Sequence, residues 1–214
     1  MKVGIITFHR ARNYGAVLQA YALMRFISEN FEEVNAELID YRSEYIEEFY
    51  RADNHGSDFL AAIQGKFLQK ILLNRNKVFQ KFVDKNLVLS DSCNAESIYN
   101  LNEYDKYIAG SDMLWHWHTT EEGEFFDDNY FLSFVKDKSK KNSYAASFGT
   151  DYIPEKYIDY YRRHLGDYNN ISVREESGID IIKNLVGKQA KCNIDPTLLF
   201  TMDNWKKIEN RPQM

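Results

Sequence analysis

Short β-rich apolar runs alternate with helix-period segments along most of this chain. They read, in order, "VGIITF", a helical pattern over 15–29, "VNAELIDY", a long helical region, "DKYIAGSD", "KNSYAASFG", a helix over 154–165, "NISVRE", a helix over 175–186 and "AKCNID". Strands separated by helices pair in parallel and are covered by helices on both faces. The pattern predicts an α/β fold: a Rossmann-like parallel sheet with helices on both faces. Such sheets bind ligands at the carboxyl ends of their strands. The residues that follow each apolar run therefore matter most: His9 to Gly15, Gly110 to Asp112, Ser147 to Gly149, Arg174 and Asp195. The stretch 42–85 breaks the alternation. Leu60, Ile63, Phe67, Leu68, Ile71 and Leu72 recur there at helical spacing, which reads as a helical insertion laid on the sheet.

Composition narrows the function classes. The 214 residues suit one large domain, and their net charge of −5 supplies no general basic surface for nucleic acid. Cys93 and Cys192 lie far apart without a CxxC spacing, so neither a disulfide framework nor a thiolate zinc site is indicated, and a reducing cytoplasm fits best. No apolar run approaches the roughly 20 residues a spanning helix needs.

The first strand leads through "HRARNYG" into a helix whose apolar face carries Val17, Ala20, Tyr21, Met24 and Ile27. Asn13 stands where an N-cap would accept from first-turn amides, and Gly15 permits close approach of a backbone or a ligand. The helix N-terminus offers free N–H groups, and Arg10 and Arg12 add charge beside it, so phosphate or carboxylate is the natural guest. A glycine kept there for tight packing is the competing reading. The turn lacks GxGxxG, which leaves Asp40 only a generic candidate for a ribose contact. His9 either faces the cleft or sits at the core edge.

Further along, Gly110, Ser111 and Asp112 place a flexible backbone, a hydroxyl and a carboxylate at a strand end, where they would orient a sugar or nucleotide, or else cap the next helix. Ser147, Phe148 and Gly149 end another strand. Arg174 closes the next one and is either a bidentate partner for a carboxylate or phosphate or the partner of Glu175 or Glu176. In "WHWH", His116 and His118 lack a third ligand in fixed register, so no metal is called for. Trp115 and Trp117 would stack on a sugar ring or fill the core. No cofactor is indicated by any of these patterns.

In this order, "NYGAVLQAYAL", "YDKYIAGSD" followed by "LW", "SYAASFG", "ISVREESGIDII" and "CNIDPTLLF" resemble the polysaccharide pyruvyl transferase family, from Val3 to about Phe200. The resemblance implies one lobe of a GT-B-like, two-lobed enzyme. Residues 1–200 would form the Rossmann-like N-terminal lobe, and 201–214 the start of a linker or of a C-terminal segment. It also implies transfer of a pyruvyl group from phosphoenolpyruvate to a sugar of a surface or capsular polysaccharide. Catalytic roles fall to Asp112, which orients or deprotonates the acceptor hydroxyl, and Arg174, which holds an anionic group. Substrate would be bound by His9, Arg12, Asn13, Tyr14, Gly15, Gly110, Ser111, Ser147, Phe148 and Gly149. The general acid and a further arginine would come from a second lobe, or the site would be completed by a partner chain or a homo-oligomer.

Between Gln64 and Lys85 six cationic residues, Lys66, Lys70, Arg75, Lys77, Lys81 and Lys85, stand against Asp84 alone. Since such polysaccharides are assembled on lipid carriers, this layer would dock peripherally on the inner membrane face, or else it is a solvated surface. A nucleotide-sugar glycosyltransferase and a non-catalytic sugar- or anion-binding domain are the alternative functions.

Overall fold

The computed structural model describes residues 1–49, 59–117 and 127–209, and of residues 48, 49 and 59–69 the backbone alone. Strand β1 (Lys2–Ile6) runs into helix α1 (Tyr14–Asn30), and β2 (Asn35–Leu38) pairs in parallel with β1. The insertion follows as α2 (Glu44–Phe49) and the long α3 (Phe59–Asn86). Leu60, Ile63, Phe67, Leu68 and Lys66 lie on α3, but their side chains fall outside the described residues. Strand β3 (Lys106–Ala109) returns to the other side of β1, and β4 (Lys141–Ser143) pairs with β3. The chain then forms α4 (Ile158–Leu165), β5 (Ser172–Val173), α5 (Glu176–Val186), β6 (Lys191–Cys192) and α6 (Met202–Lys206).

The four-stranded ladder has the order β2-β1-β3-β4, and every named pair is parallel. Two parallel bridges, Asn142 with Asn170 and Ala146 with Val173, carry the sheet on from β4 to β5 and β6. On the opposite edge Leu89 and Cys93 bridge in parallel to Leu38 and Tyr41. The connection therefore reverses direction between β1 and β3, and in an open α/β sheet that reversal opens a crevice at the strand ends.

The predicted strand "SYAASFG" is shorter than expected. Regular pairing stops at Ser143, because Ala145 takes a left-handed φ of 46° that a pleated strand does not accommodate. Hydroxyls supplement the few backbone bonds that cross the seam between β4 and β5. Ser172 N donates to Ser143 Oγ at 2.9 Å, and Ala145 N donates to Ser172 Oγ at 3.0 Å. These side chains satisfy amides that the ladder would otherwise leave bare.

Helix α1 is buried from Ala16 to Met24 except for Leu18, so it is covered on more than the sheet side. The second cover is the C-terminal stretch. Tyr21 meets Phe200 at 5.8 Å and Trp205 at 6.2 Å between ring centroids, so the segment containing α6 lies across α1. On the other side of the sheet an aromatic cluster is built around fully buried Trp115, stacked on Phe131 at 6.0 Å and edge-on to Tyr168 at 5.5 Å.

Candidate active site

At the reversal between β1 and β3 the strand ends are locked by a closed ring of buried hydrogen bonds. Gln19 of α1 donates to Thr7 Oγ1 at 2.8 Å, Thr7 Oγ1 donates to the Ser111 carbonyl at 3.1 Å, and Ser111 N donates to Gln19 Oε1 at 3.1 Å. Ser111 Oγ reaches onward to the Ala145 carbonyl at 2.9 Å. Every member is buried, so the ring holds the backbone of three segments in fixed register. Gly110 makes this approach possible: at φ 135° its Cα sits where an added Cβ would lie 2.1 Å from the Tyr144 carbonyl oxygen.

The turn projects Asp112 toward the strand-end surface. Burial pushes its carboxyl above the ordinary value, against the Met113 amide and the Arg174 charge, which hold it down. Arg174, at the end of β5, donates from Nη1 to Asp195 Oδ2 at 3.0 Å. Asp195 in turn accepts from Thr197 N at 2.9 Å and Thr197 Oγ1 at 2.7 Å, which fixes the head of the "DPT" turn. Asp112, Arg174 and Asp195 thus form one mixed-charge group over the ends of β3, β5 and β6. The Arg174 side chain is 30% exposed and keeps further N–H donors for an anion. Its partner is Asp195, and not either of the adjoining glutamates.

Glu175 serves a different purpose. Its Oε1 accepts from Phe148 N at 2.6 Å, Gly149 N at 3.2 Å and Ser147 Oγ at 3.1 Å. One carboxylate therefore organises the whole Ser147–Gly149 turn. Ser147 N also donates to the Asp112 carbonyl at 2.9 Å, so this turn and the Asp112 turn are a single unit. Ser147 and Phe148 are buried within it, and Gly149, exposed at φ 62°, leaves room for Met113 and His116 above.

Asn13, Tyr14 and Gly15 are exposed at the start of α1, and the Asn13 side chain accepts from Ala16 N at 3.3 Å as the helix cap. His9 lies below the surface: buried, it contacts the Thr7 carbonyl at 3.1 Å and Asp40 Oδ1 at 3.2 Å through its two ring nitrogens. Arg10 grips the same carboxylate in a fork, Nε to Oδ1 and Nη2 to Oδ2, both at 2.7 Å. Burial raises the Asp40 pKa, but the hydrogen bonds from His9 and Arg10 outweigh it and hold the carboxyl well below the usual range. Asp40 is therefore engaged with its own cations instead of facing a ribose.

The structure thus brings together Asp112, Ser111, Gly110, Ser147, Gly149 and Arg174 through a continuous set of contacts. Arg12 belongs to the β1–β2 side with His9, and Asn13 to Gly15 stand at the helix start. Trp115 belongs to the core, and His118 is outside the described residues. Sequence reasoning missed Gln19 and the anchoring role of Glu175. The only signal for Gln19 was a polar residue inside a stretch otherwise apolar on nearly every side.

A parallel α/β sheet whose strand ends carry an acid, a half-buried arginine and a helix N-terminus places these groups where proteins of this class bind their ligands. The polysaccharide pyruvyl transferase family profile matches residues 13–214, and the chain belongs to that family, a family of transferases. No curated protein and no solved structure matches the chain.

Proposed function

We propose that this chain takes its pyruvyl group from phosphoenolpyruvate, with Arg174 holding an anionic group of the donor and Asp112 serving the acceptor hydroxyl. The observation that carries this reading is the Asp112–Arg174–Asp195 group, which sets a half-exposed guanidinium beside a carboxyl of raised proton affinity. In the reaction a general acid protonates the methylene carbon of the donor and the acceptor oxygen bonds to the adjacent carbon, the protons lost by the two hydroxyls being balanced by the new methyl group and the departing phosphate. Phosphate leaves, and a second hydroxyl of the same sugar closes the ketal. Asp112 would take the proton from the attacking hydroxyl, and Arg174 would offset the donor's negative charge.

We further propose that this domain is one wall of a two-lobed, GT-B-like cleft whose acceptor is a lipid-linked or capsular saccharide, in the cytoplasm at the inner membrane face. Apolar side chains around the charged group favour a facing wall: Ile194 and Leu198, which flank Asp195, are 52% and 69% exposed, and Met113 adjoins Asp112. Among the described residues no helix is long and apolar enough to cross a membrane.

Calorimetric titration with phosphoenolpyruvate and separately with UDP-sugars tests the donor assignment. Phosphoenolpyruvate should bind, and Arg174→Ala should weaken it at least about tenfold, a loss of about 1.4 kcal/mol, at the lower edge of what a hydrogen bond to a charged group contributes. Binding of the UDP-sugar alone would overturn the reading in favour of a nucleotide-sugar enzyme.

A further inference from the structure

On the far side of the β1–β3 reversal from Asp112, the segment after β1, the residues after β2 and helix α3 enclose an open pocket of about 820 Å³. Four cationic side chains line it, Arg10, Arg12, Arg42 and Lys77, against the two carboxylates Glu44 and Glu47. The floor is rigid. Asp40, 6% exposed, binds Arg10 through both oxygens and accepts from Arg42 Nη2 at 3.3 Å, so one buried anion holds two guanidiniums side by side. Arg10 spends Nε and Nη2 on that fork, while its Nη1 makes only a 3.4 Å contact to Gln80 Oε1 at the pocket wall. A ligand anion that replaced this long contact would meet a donor already oriented.

The apolar part of the wall is also suited to a specific guest. Phe79 lines the pocket, and at its edge, outside the lining, the ring of Tyr14 rests tilted on Phe79 at 4.9 Å between centroids and is 67% exposed. A large ring that is held from beneath and bare above offers an apolar face with a hydroxyl at its edge. Asn76 and Gln80 add amides that both donate and accept. Guanidiniums, amides and an anchored exposed aromatic are the chemistry of a site for a sugar ring that carries a negative charge.

We propose that this pocket binds an anionic saccharide, a stretch of the acceptor chain bearing a carboxylate, while a neighbouring sugar lies over the Asp112 side. This rests on the transferase reading above for what the saccharide is for, but not for whether it binds. The group recognised is an acidic sugar ring, not a free anion, because the aromatic face has no use for phosphate alone.

Heteronuclear NMR on the ¹⁵N-labelled chain tests it with three probes: tetragalacturonate, the neutral maltotetraose and inorganic phosphate. Tetragalacturonate should shift amides of Ala11, Tyr14, Lys77 and Gln80, with maltotetraose and phosphate binding at least fivefold more weakly. Tyr14→Ala and Lys77→Glu, both at exposed side chains, should each weaken tetragalacturonate at least fivefold in spectra that otherwise report the same fold. Equal binding of the neutral or the free-anion probe, shifts confined to other surfaces, or unchanged affinity in both variants would overturn the proposal. Phosphoenolpyruvate titrated into the same samples separates the two readings. If it binds and tetragalacturonate does not, the pocket assignment fails alone; if the reverse holds, the donor assignment fails and the pocket stands.

Discussion

Asp40 accepts from three side chains while nearly shielded from water, so the cost of removing it is dominated by the cations left behind. Breaking a buried ion pair by deleting one partner costs about 3 to 5 kcal/mol, and Asp40→Ala should fall in that range near neutral pH because Arg10 remains in place at 12% exposure. The pH dependence follows from the sign of the shift. The folded carboxyl titrates below its ordinary value of 3.8, so its contribution is complete above that pH and is lost as the pH falls through it and beyond. Urea unfolding at pH 7, 5 and 3 should show a constant gap between wild type and variant at the first two and a smaller gap at the third. A gap undiminished at pH 3 would contradict the linkage. That an acid would end the run "AELID" was legible in the sequence. Its partners were not, because Arg10 lies thirty residues away, and nothing in local spacing signals which strand will lie beside which. Gln19 escaped for a related reason: its role is defined only once Thr7 and Ser111 are neighbours.

Elements were more legible than contacts, because periodicity is a local property. Helix α1 was predicted over 15–29 and is found over Tyr14–Asn30, and α5 was predicted over 175–186 and is found over Glu176–Val186. Strand β4 was overextended because "SYAAS" alternates well enough to pass as a strand, while the left-handed φ at Ala145, next to the Tyr144 backbone that closely approaches Gly110, leaves no trace in propensity. Helix α3 shows the same division between pattern and context. Lys70, Lys81 and Lys85 fall on its outward face at helical spacing, all exposed, with Val78 and Ile71 beside them at 61% and 48% exposure. If the chain works at the inner membrane face, as proposed above, lysines next to bare aliphatic side chains are the surface that would meet anionic lipid. Co-sedimentation should therefore show binding to vesicles containing phosphatidylglycerol and none to phosphatidylcholine alone. At about 1 kcal/mol per lysine near such a surface, Lys81→Glu with Lys85→Glu should reduce binding at least about tenfold. Equal binding to both vesicles would remove the charge argument, and an unchanged affinity in the double variant would place the contact elsewhere.

At the scale of the whole molecule, the stretch from Asp195 to Ile208 connects the charged group to the back of the first helix. Arg174 holds Asp195, Asp195 fixes Thr197, and the Thr197 carbonyl accepts from Trp205 Nε1 at 3.2 Å. Trp205 in turn packs on Phe200 at 5.1 Å and on Tyr21 of α1. The family resemblance implied the start of a linker or of a C-terminal segment at 201; the aromatic contacts that seat residues 201–208 on α1 arise only from tertiary placement. Loss of the indole should therefore be felt in stability and at the site together. Trp205 is half-buried, so Trp205→Ala should cost less than the 3 to 5 kcal/mol of a fully buried tryptophan, about 2 kcal/mol, which lowers Tm by roughly 4 to 8 °C in a chain of this size. Because the unfolding unit includes α1 and the sheet, circular dichroism at near- and far-ultraviolet wavelengths should report one shared transition at the lower temperature. Phosphoenolpyruvate affinity measured well below that Tm should also fall, since the partner that orients Arg174 has lost its anchor. A Tm that does not move would show that the C-terminal segment merely rests on α1. A lowered Tm with unaltered donor affinity would show that Asp195 is held by its own turn and needs nothing from the helix behind it.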